Sequence, residues 1–243
     1  MDWYGNEAGG VAYLDSFGAV VDRMAFVFPD ELYYGYPKYV WETVSHEVGH
    51  TFNLRHDGTS EEAYYLGHAD WAPIMGAGFY SPVSQFSKGE YADANNKQDD
   101  LATIRKYLNI VPDTHGNTIA TASLLTNKTS VYASIGLYDT ADVFKINVAG
   151  GKVIIKASVI SIWDGEGRAN LDLSLTVLRY NGAVIAYSSP TTSLEASITI
   201  NTIAKGTYYV QIKKTGKGTA STGYTAYGSV GQYTLTARFN QFG

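Results

Sequence analysis

The hydrophobic pattern of this chain changes its period once, and this change limits the fold more than any other feature. Before Val111-Pro112-Asp113, the longest periodic segments repeat their apolar residues at helical spacing. After it, apolar and polar residues alternate in short runs separated by turn residues, as in strands. Proline disfavours helical geometry in the residue before it, so the tripeptide ends the preceding helix. The sequence therefore predicts two domains, residues 1–112 and residues 113–243.

Two helices and two short strands are predicted in the first domain. Residues 37–52 and about 98–108 form the helices, and residues 10–15 and 24–28 form the strands. Pro37 suits the first helical position, where the N–H that proline lacks would have no partner. A long loop rich in Gly, Tyr and Pro separates the two helices.

The second domain is predicted to be a β-sandwich of about seven to nine short strands. Asn181-Gly182 lies between two of these strands and is a strong signal for a hairpin turn. The predicted strands span residues 142–148, 152–159, 171–178, 183–187, 196–200, 207–213 and 232–239.

Composition excludes several classes of function. Residues 1–112 carry 7 basic and 16 acidic side chains, a charge of −9, whereas residues 113–243 carry 11 and 7, a charge of +4. Neither part has the dense basic patch of a nucleic-acid binder. The chain has no cysteine, so any metal must be held by His, Asp or Glu. A run of about 18 apolar residues is also missing, so no membrane-spanning helix is expected.

One motif in the first helix indicates chemistry. His46 and His50 stand one turn apart on the same helical face, so both imidazoles can reach one ion. Glu47 can then bond a water molecule at that ion without binding the metal itself. His56 follows at the spacing that returns a third ligand, provided that the chain leaves the helix abruptly.

Two further residues bear on the choice between a metal site and a chance HExxH motif. Asn53 occupies the position of the sharp turn, which needs a left-handed residue, and Asn tolerates that conformation best after Gly. Met75, within Pro73-Ile74-Met75-Gly76, follows His56 by 19 residues.

On these residues the first part resembles the metzincin zinc endopeptidases, nearest the reprolysin or adamalysin type. The resemblance implies an α+β zincin-like catalytic fold in which His46, His50 and His56 hold Zn²⁺. It implies that Glu47 is the general base acting on a zinc-bound water, which is the nucleophile, and that Met75 is the Met-turn residue.

The resemblance has further implications for residues 9–108, the part that it covers. Asp57 would be a structural carboxylate beneath the site, and residues 10–15 would be the edge strand that a substrate peptide joins by β-augmentation. The family has additional strands and a helix before this edge strand, so the chain is expected to be N-terminally incomplete. Asn53 departs from the family pattern, which usually has Gly there.

The second part resembles the bacterial pre-peptidase C-terminal (PPC) domain, a jelly-roll-like β-sandwich appended to secreted peptidases. The resemblance rests on four segments in order: DTHGNTIATA from Asp113, DVFKI from Asp142, LDLSL from Leu171 and KGTYYV from Lys205. Relatives of this fold bind calcium or collagen.

Several other residues have open roles. Four side chains of the second domain are either solvated loop residues or Ca²⁺ ligands. His68 could line the cleft or only make hydrogen bonds at the surface. Tyr80 could stabilise a transition state, although it follows Met75 by five residues instead of the two usual in metzincins. The four calcium candidates are Asp113, Asn117, Asp139 and Asp164.

The sequence thus predicts a zinc metalloendopeptidase that hydrolyses peptide bonds of extracellular proteins. Its partners would be protein or peptide substrates, without nucleic acid or a membrane span. The family resemblance implies secretion, although residues 1–5 have neither the basic nor the apolar region of a signal peptide. One alternative is an inactive truncated peptidase whose β-sandwich binds matrix or polysaccharide. Another is a structural metal site, against which Glu47 argues.

Overall fold

A computed structural model describes residues 8–160 and 169–242. The chain separates into two compact units. The first extends to Ile110 and includes Gly218–Tyr224, and the second comprises Val111–Lys217 and the residues from Thr225 onward. The division therefore falls at Ile110, two residues before the predicted boundary, and the first unit also takes a segment from late in the chain.

The main helix of the first unit, α1, spans Pro37–Thr51 and confirms the predicted helix over residues 37–52. Its buried face differs from the one that the apolar spacing suggests. Val44 and Val48 are 43% and 39% exposed. The buried side chains are mostly polar: Lys38, Glu42, Thr43, Glu47, His50 and Thr51.

The remaining elements of the first unit are short. Strand β1 (Gly10–Ala12) pairs antiparallel with β2 (Ala25–Val27), and β3 (Trp71–Pro73) pairs parallel with β4 (Val83–Gln85). The second helix, α2, covers only Asp100–Ile104, much less than the predicted residues 98–108. After Ile104 the chain closes hydrogen bonds over three residues, from the Lys106 N–H to the Thr103 carbonyl and from the Tyr107 N–H to the Ile104 carbonyl. A small core of Leu54, Ile74 and Met75 packs against Phe86 and Ile104.

The second unit is an all-β sandwich, as predicted. One sheet has the strand order β10-β9-β12-β7-β5, and the other has the order β11-β8-β13-β6. The strands are β5 (Ser123–Leu124), β6 (Ser130–Ile135), β7 (Asp142–Val148), β8 (Gly151–Val159), β9 (Leu173–Leu178), β10 (Val184–Ser188), β11 (Ala196–Ile203), β12 (Gly206–Lys214) and β13 (Gly231–Arg238).

The sandwich core follows from the alternation of side chains along its strands. In β8, Val153, Ile155 and Ala157 are fully buried, while Lys152, Ile154 and Lys156, which alternate with them, are exposed. Phe144 and Tyr233 are the largest fully buried side chains of this core. The two sheets thus bury one apolar face each, which is the condition for a stable sandwich.

The predicted hairpin turn at Asn181-Gly182 is confirmed. Gly182 has a φ of +81°, a conformation open to glycine, and the turn joins β9 to its antiparallel neighbour β10. Among the described residues, no helix combines the length and the apolar character needed to cross a membrane.

Candidate metal centre

Helix α1 sets two imidazoles in fixed orientations. The Nδ1 atom of His46 lies 2.9 Å from the carbonyl oxygen of Ile74, and the Nδ1 atom of His50 lies 2.8 Å from that of Leu54. Because a carbonyl only accepts, each Nδ1 must carry the proton and donate it. Each Nε2 therefore keeps a free lone pair, which is the state of a metal-ligating histidine.

The helix ends in a turn that returns the third histidine. Asn53 has a φ of +65°, which confirms the left-handed residue predicted there. The N–H of Leu54 bonds to the carbonyl of Gly49 at 3.1 Å, which closes the helix end. Gln98 stabilises this turn with two hydrogen bonds. Its amide donates to the Asn53 carbonyl at 2.8 Å and accepts from the Arg55 N–H at 2.9 Å.

His46, His50 and His56 come together as one donor set. One ring nitrogen from each lies within 4.8 Å of the others, and the Nε2 atoms of His50 and His56 are 2.9 Å apart. Tetrahedral zinc with bonds of about 2.0–2.1 Å would separate its nitrogens by roughly 3.3 Å. The donor set therefore has the dimensions and the ligand type of a zinc site.

Charge and protonation agree with that fit. Burial, followed by the charge of His50, lowers the pKa of His46 to about 3, and the same two causes lower the pKa of His56 to about 4. The imidazoles are thus neutral at pH 7, as metal ligands must be.

Glu47 lies beside the three histidines and is 6% exposed. Desolvation raises the pKa of its carboxyl to about 7. Strand β1 passes very close to it, because a Cβ added at Gly10 would lie 2.8 Å from the Glu47 Oε1 atom. Only glycine at this position leaves room for the carboxylate.

Met75 packs against α1 at Gly49, on the side of the helix away from Glu47. It is fully buried, and a Cβ added at Gly49 would lie 2.5 Å from its sulfur atom. Asp57 is also fully buried, and its Oδ1 accepts a hydrogen bond from the Asn96 amide at 3.1 Å. Desolvation raises the pKa of Asp57 to about 7. Met75 and Asp57 are therefore both buried in the framework beside the histidines, and the roles that the resemblance implied for them stay predictions.

A cavity of about 590 Å³ opens beside this site. Its volume suits a side chain or a short peptide segment. Its walls come from β1 and the residue pair before it, from the buried face of α1, and from the loop after Met75. They include Gly9, Gly10, Glu42, Thr43, His46, Glu47, His50, His56, Tyr64 and the stretch from Gly76 to Phe79.

Tyr64 is a site residue that the sequence analysis missed. Its ring lies 4.3 Å from that of His56 and 6.0 Å from that of His46, and it lines the cavity. Burial and then the charge of Glu47 raise the pKa of its hydroxyl. The loop around Tyr64 has no periodicity, so no spacing rule pointed to it. Tyr80, the earlier candidate, is 77% exposed and packs against Tyr39 instead.

His68 makes hydrogen bonds instead of joining the three histidines. Its Nδ1 atom lies 3.0 Å from the Tyr65 hydroxyl, and its Nε2 atom lies 2.8 Å from the Gly223 carbonyl. The hydrogen-bonding role is therefore the one that the structure supports for this residue.

The sandwich contains a second cluster of possible ligands. Carboxylate oxygens of Asp113, Asp139 and Asp142 lie within 4.8 Å of one another. Asp142 is fully buried, and its Oδ1 has no hydrogen-bond partner, while its other oxygen accepts from the Tyr233 hydroxyl. Desolvation raises the pKa of Asp142 to about 7.

The cluster differs in part from the four predicted calcium candidates. Asp142 was missed, because its place inside a strand made it read as a sheet residue. Asn117 is hydrogen-bonded to the cluster, since its amide donates to Asp113 Oδ2 at 2.9 Å, while its amide oxygen accepts the Ala141 N–H at 2.9 Å. Asp164 lies outside the described residues.

Comparison with known proteins identifies the second unit. Residues 140–214 match the family model of the bacterial pre-peptidase C-terminal domain, so this segment contains such a domain. No curated protein matches the chain significantly.

Two solved structures resemble part of the chain. The pre-peptidase C-terminal domain of collagenase from Bacillus anthracis is 16% identical, with a TM-score of 0.36 over 54% of this chain and 100% of that chain. PliG, a periplasmic inhibitor of g-type lysozyme from Aeromonas hydrophila, is 12% identical, with a TM-score of 0.32 over 49% and 95%. Scores this low carry no argument about function.

The three histidines predict one tightly bound zinc ion per chain. We expect His46→Ala to abolish stoichiometric zinc binding, because two imidazoles do not close a structural or catalytic zinc site. Elemental analysis after dialysis against zinc measures the stoichiometry. His68→Ala is the matched control and should keep one zinc. Equal zinc content in wild type and His46→Ala would show that the metal binds elsewhere.

Proposed function

We propose that this chain is a zinc-dependent endopeptidase of the metzincin type that cleaves extracellular proteins. The observation that carries the proposal is the convergence of three neutral imidazoles and the carboxyl of Glu47 at the end of one cavity. A purely structural zinc site takes four protein ligands, whereas this donor set has three and an adjoining cavity. The pre-peptidase C-terminal domain supports a secreted location, because the resemblance links that domain to secreted peptidases.

The edge of β1 is suited to hold the substrate. In the described part of the chain, β1 pairs only with β2, and its residues form one wall of the cavity. An extended peptide can add to its second edge through backbone hydrogen bonds. Gly10 would bring such a peptide close to Glu47.

Zinc, when bound, would supply a Lewis acid that lowers the pKa of a water molecule and polarises the scissile carbonyl. Glu47 takes the proton of the attacking water. Its carboxyl lies in the cavity, and burial raises its pKa to about 7, close to the pH at which the reaction would run. The same carboxyl then gives that proton to the leaving amine. His46 and His50 keep their orientation throughout, since their Nδ1 protons remain on backbone carbonyls.

Tyr64 is our candidate for the donor that stabilises the developing oxyanion. Its phenol lines the cavity beside His56, and a neutral hydroxyl can donate one hydrogen bond to the carbonyl oxygen. The residue lies in the loop between the third histidine and Met75.

Removal of the base should separate catalysis from metal binding. We expect Glu47→Gln to keep one zinc per chain while hydrolysis of casein or gelatin falls by at least about 10²-fold. Glu31→Gln, which changes an exposed glutamate of the same unit, is the control and should retain full activity. Unchanged hydrolysis in Glu47→Gln would exclude Glu47 as the base.

Removal of one hydroxyl should test Tyr64. Phenylalanine keeps the ring against His56, so zinc content and melting temperature should stay constant in Tyr64→Phe. We expect kcat to fall by about 10- to 100-fold with KM nearly unchanged, as for the loss of an oxyanion donor. Tyr65→Phe is the matched control, because the Tyr65 hydroxyl bonds to His68 and should leave kcat within about twofold. A normal kcat in Tyr64→Phe would remove this residue from the mechanism.

We also propose that the sandwich binds a calcium ion at Asp113, Asp139 and Asp142. The support is the fully buried Asp142 oxygen that has no partner within the described residues. Ca²⁺ takes carboxylate oxygens as ligands and would offset the mutual repulsion of three carboxylates.

Calcium should therefore stabilise the chain against heating. We expect millimolar Ca²⁺, but not Mg²⁺, to raise the melting temperature by several degrees, because extracellular calcium sites have affinities of about 10⁻⁴–10⁻³ M. Asp113→Asn should reduce the shift, whereas Glu195→Gln, which changes a partly exposed residue paired with Lys156, should not. An identical shift with both cations, or none, contradicts the site.

The alternative function is a binding module. The family match of residues 140–214 favours it as much as it favours a secreted peptidase. In that case the chain would attach to matrix or polysaccharide with equal affinity in wild type and Glu47→Gln, and neither would hydrolyse protein.

A further inference from the structure

One residue of the cavity wall belongs to a buried ion pair. Lys38 and Glu42, one turn apart on α1, approach to 2.7 Å, and each side chain is only 6% exposed. Ser84 donates a second hydrogen bond to the same Glu42 oxygen, Oε1. Glu42 lines the cavity, whereas Lys38 lies behind it. Because a buried ion pair is often less stable than apolar residues of equal volume, stability alone does not explain this one.

Thr43 adds an unsatisfied hydroxyl to the lining of the same cavity. It is 5% exposed and lines the cavity, and its Oγ1 atom has no hydrogen-bond partner within the described residues. The second Glu42 oxygen, Oε2, lies close to Gly78, which also lines the cavity, since a Cβ added at Gly78 would be 3.2 Å from it. A buried polar atom without a partner is rare in native proteins and points to a missing ligand.

We propose that this cavity selects a neutral amide side chain, glutamine or asparagine, next to the scissile bond of the substrate. The proposal rests on the proposed peptidase function and adds its substrate class. The amide NH₂ group donates to Glu42 Oε2 and to Thr43 Oγ1, and so it satisfies both acceptors at once.

Other side chains fit this polar end less well. An apolar side chain would leave Thr43 and Glu42 desolvated without a partner. A glutamate would meet the Glu42 carboxylate. An arginine or lysine would lose its hydration to a carboxylate whose charge Lys38 already neutralises. The volume of about 590 Å³ admits any of these side chains, so hydrogen bonding decides the selection instead of size.

The first test compares peptides that differ in one residue beside the cleaved bond. We expect the zinc-loaded chain to show a kcat/KM for glutamine at least about tenfold above those for leucine, arginine and glutamate. Thr43→Val keeps the shape of the side chain and removes its hydroxyl, so it should lower kcat/KM for the glutamine peptide and raise it for the leucine peptide, which no longer buries an unpaired hydroxyl. Ser45→Ala is the control, because its hydroxyl bonds to the Trp41 carbonyl within the helix. Equal rates for glutamine and leucine would overturn the proposal.

A second variant tests the role of the ion pair. Lys38→Met removes the charge that neutralises Glu42, so the preference should move from glutamine toward arginine. A preference that stays with glutamine in a folded Lys38→Met variant counts against our account of the charge. If that variant does not fold, Thr43→Val still decides the proposal.

Binding measured without catalysis separates this inference from the proposed function. Peptide hydroxamates chelate zinc and so fix the position of the adjoining residue. Calorimetry on the zinc-loaded full chain should give a glutamine hydroxamate about tenfold tighter than its leucine counterpart. If that preference exists while no peptide is cleaved, the peptidase function fails and the selective cavity stands. If leucine binds as tightly as glutamine, the cavity proposal fails whatever the activity.

Discussion

The abrupt end of α1 is the constraint on which the candidate site depends. A helix alone can direct His46 and His50 to one point, but it carries any later residue away along its axis. The left-handed conformation of Asn53 reverses the chain within one turn, so that His56 returns to the same point. The same reversal puts the Leu54 carbonyl 2.8 Å from the Nδ1 atom of His50. One backbone conformation therefore brings the third histidine to the candidate site and orients the second.

Local sequence rules predicted what local geometry determines. The HExxH spacing, the tolerance of Asn for left-handed backbone and the Asn181-Gly182 turn are all properties of a few adjacent residues, and the structure agrees with them. In the sandwich, the alternation of apolar and polar residues predicted strand β7 with its observed bounds, Asp142–Val148. That strand has one buried face along most of its length, so its pattern was unambiguous.

Features determined by tertiary contact were missed for a physical reason. Tyr64 lies in a loop, where no period constrains the direction of a side chain. Asp142 begins a strand, so its pattern predicted a sheet residue instead of a member of an acidic cluster. The short extent of α2 has the same origin. Its pattern of Leu101, Ile104 and Leu108 suited a longer helix, but Leu108 remains 41% exposed and adds little packing to extend it.

The buried face of α1 is the strongest structural argument for function in the first unit. Burial of a charged group costs several kcal/mol even after relaxation, and apolar replacements of a buried ion pair often stabilise a protein by about 1–4 kcal/mol. A helix selected for stability alone would turn Val44 and Val48 inward, yet both are exposed while Lys38, Glu42 and Glu47 are buried. Sequences break the local rule of burying apolar residues mainly where a site requires it. Of the buried charged residues of α1, Glu42 and Glu47 both line the cavity beside the histidines. Part of the cost in folding free energy is therefore paid at the place where a peptidase would need polar groups.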